Sequence, residues 1–76
     1  MSAESVDIFR RLCDYAAHLM MDAEKVGKGT RAEIFRAAGK DMLRAAERLY
    51  QGEMDSTEAL AFGARRLMQA ETAIAA

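Results

Sequence analysis

The sequence predicts an all-α fold, a three-helix antiparallel (up-down-up) bundle that dimerises into a larger helical bundle. Three observations carry that expectation. Proline and tryptophan are absent while Ala, Leu, Met, Glu and Arg are plentiful, so helix is favoured along most of the chain. Apolar residues return at three- and four-residue spacing in three separate stretches. Between those stretches stand Gly27-Lys28-Gly29 and Gly52, residues of the kind that end helices. The 76 residues are read as a single helical domain, 1–76, with helices at about 3–26, 31–51 and 56–74.

In the first helix Ser2 or Ser5 supplies the cap, and Glu4 and Asp7 set negative charge at the positive end of the helix dipole. Phe9, Leu12, Cys13, Ala16, Met20 and Ala23 make one apolar stripe. Ile8, Tyr15, Leu19 and Val26 make a second, turned by roughly 100° at 3.6 residues per turn. Asp7, Arg11, Asp14, His18 and Asp22 occupy the opposite, solvated face. Gly27 closes the helix, and the short turn after it sends the chain back antiparallel.

The second helix begins at Thr30, which with Glu33 has the spacing of a capping box. Its inward stripe is Ile34, Ala38, Met42, Ala45 and Leu49, widened by Phe35, Leu43, Ala46 and Tyr50. Gly39 in the middle costs about 1 kcal/mol relative to Ala, and marks either a kink or the close approach of another helix. In the third helix Asp55 and Glu58 repeat the cap spacing. Leu60, Gly63, Ala64, Leu67 and Ile74 face inward, which puts Phe62 on the reverse side beside Arg66.

Charge and motif content narrow the function. Eleven Lys+Arg against twelve Asp+Glu leave a net charge of −1, so any electrostatic partner is met locally. No apolar run reaches the roughly 18 to 20 residues of a membrane span, the first residues lack a signal-peptide pattern, and the one cysteine stands alone; a cytoplasmic location is expected. His18 shares a helix face with Asp14 and Asp22. A metal site in a bundle draws ligands from several helices, with Glu-x-x-His pairs, and this chain has a single His and no such pair. Cys13 lies on an apolar stripe and reads as core. With no phosphate-binding loop, no G-x-G-x-x-G and no nucleophile elbow, the expectation is a protein that is not an enzyme and takes no cofactor or metal.

Apolar surplus carries the functional expectation. Ile8, Tyr15, Leu43, Tyr50 and Phe62 exceed what one three-helix core accommodates, and six methionines suit an adaptable surface. Arg36, Lys40, Arg44 and Arg48 form a basic edge, with Arg66 beside Phe62. The chain is therefore expected to be a protein-binding module, an adaptor, anti-activator or inhibitor acting as a homodimer by helix-face docking. Its anchors are those five apolar residues, and its cations steer an acidic partner. Chains of this size are common among phage and mobile-element inhibitors, anti-CRISPR proteins included. The alternatives are a dimeric nucleic-acid-binding regulator using the Arg36/Lys40/Arg44/Arg48 stripe, or a small subunit or chaperone of a larger assembly.

Overall fold

Backbone chemistry at the helix ends decides where this chain turns. A computed structural model describes residues 1–75, which form three helices and no strand: α1 (Ala3–Val26), α2 (Thr30–Tyr50) and α3 (Ser56–Ala75). Ser2 caps α1, its Oγ accepting the Ser5 N–H at 3.1 Å. Asp55 caps α3 as its spacing suggests, with Oδ1 accepting the Glu58 N–H at 2.7 Å. Thr30 and Glu33 form no capping box. Gly29, at φ 101°, occupies the cap position itself, so Thr30 is already helical and no side chain caps α2.

The α2–α3 turn is a Schellman motif. The Glu53 N–H reaches the Arg48 carbonyl at 2.8 Å and the Gly52 N–H reaches that of Leu49 at 3.2 Å, which requires the positive φ of 77° that Gly52 supplies. Arg48 and Glu53 add an ion pair across the turn, at 3.8 Å.

The buried line of α1 runs between the two expected stripes, through Ile8, Leu12, Ala16, Leu19 and Ala23. Phe9, Cys13 and Tyr15 are pushed to half-buried positions at the edges of the core. On α2 Ala38, Met42, Ala45, Ala46 and Leu49 are buried as their spacing indicates, with Ala32 and Gly39; Ile34 and Phe35 are half-buried, and Leu43 and Tyr50, expected to widen the stripe, are exposed. Met54, in the turn, closes the core from below, and α3 contributes Ala59, Gly63 and Ala70. Of the large side chains only Leu12 and Met42 are fully enclosed. Half of the core is alanine.

Small residues let the helices approach. Gly39 lies inside the uninterrupted α2 and forms a notch filled by Met20 of α1, whose methyl lies 2.8 Å from where a Cβ would stand. Gly63 does the same for Leu12, at 2.8 Å, with the Tyr15 ring 3.7 Å away. Three further contacts register the elements: Phe9 against Tyr50, Ser5 Oγ to Ser56 Oγ at 2.6 Å, and Arg66 Nε donating to Asp41 Oδ2 at 2.8 Å. Packing is most extensive between α1 and α2 and least between α1 and α3. No helix among the described residues is long and apolar enough to cross a membrane.

The two notches predict opposite responses to the same substitution. Gly39→Ala displaces only the flexible end of Met20 and gains about 1 kcal/mol of helix propensity, so stability is expected to hold or rise slightly. Gly63→Ala presses on an enclosed Leu12 and is expected to be the less stable variant by about 1–2 kcal/mol. Urea unfolding of both at one protein concentration checks the contrast.

Candidate protein-docking surfaces

The surface is organised by the outer ridge of α2. Arg36, Lys40, Arg44 and Arg48 follow one another at four-residue steps, each turned about 40° from the last, so the row starts on the α1 side and finishes on the α3 side. Most of these cations have an acceptor within the chain. The Arg36 guanidinium donates to the Gly27 carbonyl at 3.0 Å, meeting the negative end of the α1 dipole. Arg44 pairs with Asp41 at 3.6 Å and Arg48 with Glu53 at 3.8 Å. Lys40 makes no ion pair among the described residues. Glu33, Asp41 and Glu47 each stand three residues from one of these cations, and Asp41 alone forms that pair; Glu47 accepts instead from Gln51 Nε2 at 3.4 Å.

One face lies over the α1–α2 seam. Leu43 and Tyr50, two helical turns apart on α2, are 47 % and 67 % exposed. The Tyr50 ring nonetheless rests against Phe9 of α1, with centroids 6.1 Å apart and planes at 49°, a tilted aromatic pair. Phe9, Cys13 and Met20 lie within about 40° of one another on the α1 wheel, and all three are half-buried along this seam. Burial pushes the Cys13 thiol above its ordinary range, and the Asp14 carboxylate adds to the rise. A thiolate is disfavoured there, which fits an apolar role.

A second site is the groove between α2 and α3, a depression of about 280 Å³ lined by Asp41, Arg44, Ala45, Arg48, Met54 and Phe62. Phe62 is not on the back of α3. It packs half-buried against the core, because the buried line through Ala59, Gly63 and Ala70 turns the helix by roughly 60° from the expected phase. Leu60 and Ala64 go to the surface instead. Arg66 follows Phe62 inward and is held by Asp41, which removes it from the free cations. Ile8 is buried, at 5 % exposure, and has no surface to offer a partner; Tyr15 covers Gly63 at the core edge. Both were expected outside because two α1 stripes were read where one central line exists.

The remaining candidates are quiet. His18 Nδ1 bonds the Asp14 carbonyl at 2.8 Å, and no three His, Cys, Asp or Glu side chains are grouped to hold a metal among the described residues. Residues the sequence reading passed over are Met54, which floors the groove, and Ala59 with Ala70, which set the phase of α3. Their signal was the recurrence of the smallest residues, Ala59, Gly63 and Ala70, at helical spacing.

Two outcomes follow from these placements. Phe62→Asp sets a carboxylate among Met54 and Ala45 and is expected to cost about 2 kcal/mol or more, read as a lower melting midpoint; an unchanged midpoint would return Phe62 to the surface. Alkylation of Cys13 should lag that of free cysteine and reach half-maximal rate at a higher pH, as followed by mass spectrometry. Comparison with known proteins adds no kinship: no family model, curated protein or solved structure matches the chain.

Proposed function

We propose that this chain is a small, non-enzymatic protein-binding module, an adaptor, anti-activator or inhibitor that works by docking a helix face onto its partner. On this reading the three helices run up, down and up, and the broad side of the α1–α2 pair is the working surface. The observation that carries it is the exposure of Leu43 and Tyr50 beside the half-buried Phe9 and Met20. Apolar side chains clustered over one seam, with rings already ordered by contact, make low-entropy anchors for an interface.

The cations have a supporting role. Lys40 and Arg44 stand on the exposed ridge beside that face, where they speed encounter with an acidic surface more than they hold it. Total accessible surface supports the same view. The chain exposes 5045 Å², against about 4,600 Å² expected for a folded monomer of its mass.

The test uses immobilised protein and host lysate, comparing wild type with the Leu43→Asp/Tyr50→Asp variant. Both positions are exposed, so helix content is expected to stay close to wild type, while the melting midpoint falls modestly as the Tyr50–Phe9 ring contact, worth about 1 kcal/mol, is lost. Proteins other than this chain should be retained by wild type and lost by the variant. Identical retained sets, or none beyond the chain itself, would refute docking of another protein through this face.

A further inference from the structure

We infer that the occupant of the α1–α2 face is a second copy of this chain, seated with α1 of each copy on α2 of the other. The inference rests on the reading of that face as a docking surface, and what adds to it is the pattern of charge along its two edges. Phe9 meets Tyr50 and Met20 meets Gly39, which fixes which residues of α1 and α2 lie at equal height. By those pairs Arg10 is level with Leu49, two residues or about 3 Å from Glu47. Asp14 is level with Ala45, next to Arg44, and Glu24 is level with Phe35, next to Arg36.

The helical wheel sets Arg10 and Asp14 on the edge of α1 away from α2. It sets Arg44 on the edge of α2 away from α1, while Glu24, Arg36 and Glu47 point more directly out of the face. Within one copy those edges are on opposite sides of the face. A two-fold axis parallel to the helices preserves height and exchanges the edges, so α1 of one copy lies over α2 of the other. Read from the Phe9 end, α1 then presents plus, minus, minus (Arg10, Asp14, Glu24) to a facing minus, plus, plus (Glu47, Arg44, Arg36). Each of the three positions meets an opposite sign, with Arg48 and Glu33 at neighbouring levels turned about 100° and 60° further round α2 from Glu47 and Arg36, and the symmetry makes every pair twice.

Size fits as well. The molecule measures 38 × 20 × 16 Å, and a face spanning its two longer dimensions projects about 760 Å², close to the roughly 800 Å² each partner gives to a stable interface. Lys40, the ridge cation without an ion pair, is level with Leu19 and meets the uncharged Ala17 and Met21 region of the other copy, so no like charge opposes it. The copies bury Phe9, Met20, Leu43 and Tyr50 between them, and an outside partner reaches the face by displacing one copy.

Sedimentation equilibrium of the intact chain is the test. Wild type should have twice the 8.4 kDa chain mass at micromolar concentration. Arg10→Glu, at an exposed position, should weaken association by at least about tenfold with helix content unchanged, because two like-charged pairs replace two attractive ones. Glu47→Arg should do the same. The Arg10→Glu/Glu47→Arg double variant restores opposite signs only if these residues face one another, and should associate within a few-fold of wild type. A wild type that stays monomeric at 100 times that concentration overturns the inference, and leaves docking on other proteins to the lysate comparison. A double variant no better than either single one overturns the α1-on-α2 seating.

Discussion

Close approach of the helices through alanine and glycine is the constraint on which the rest of this molecule depends. Ala16 of α1, the Ala38-Gly39 and Ala45-Ala46 pairs of α2, and Ala59, Gly63 and Ala70 of α3 line the contacts. Backbones that meet across such residues leave little volume between them. Leu12 and Met42 fill what there is. Ile8, Leu19, Leu49 and Met54 complete the core, and the other large apolar groups stand at an edge, where Phe9, Met20, Tyr15 and Phe62 are half-buried, or outside it, as Leu43 and Tyr50 are. The apolar face is thus the counterpart of a thin core rather than an addition to a full one.

A thin core tolerates sliding, and polar contacts resist it. Asp41 receives Arg66 from α3 while also touching Arg44 on its own helix, and Ser5 reaches Ser56 where α1 and α3 begin. Arg36 closes the end of α1 from the start of α2. Each is partly or wholly solvent-facing and contributes about 1 kcal/mol or less, but each has one geometry.

Helix positions were legible because their determinants are local. The Gly27 and Gly52 stops, the Ser2 and Asp55 caps and the central stripe of α2 act through residues within one turn of each other. The Gly29 cap was missed since Thr30-Glu33 offers an equally good local text, and the choice is made by how tightly the turn must close. Helix phase was harder. Hydrophobicity points large residues inward, and in α3 that rule favoured Leu60 over Ala59. Steric fit against Leu12 decided otherwise, and that is a property of two helices together. The same error set Phe62 on the back of α3 with Arg66 beside it, and Leu43 and Tyr50, read both as widening the α2 stripe and as part of the apolar surplus, are exposed.

Stability and docking are coupled in such a molecule. A domain of this length is stable by about 4–11 kcal/mol, at 0.05–0.15 kcal/mol per residue. A core built half of alanine draws less from apolar burial than one built of leucine, since each buried methylene is worth about 0.8 kcal/mol. Whatever covers Leu43, Tyr50 and the edge of Phe9 removes further apolar area from water and binds only the folded chain. By mass action it raises the apparent stability by about 1.4 kcal/mol for each tenfold excess over its dissociation constant. On the proposed docking reading, a substitution at the seam therefore acts twice, once on the partner and once on the folded population available to meet it. Arg10 and Glu47, both exposed, separate the two effects, whereas changes at the half-buried Phe9 or Met20 cannot.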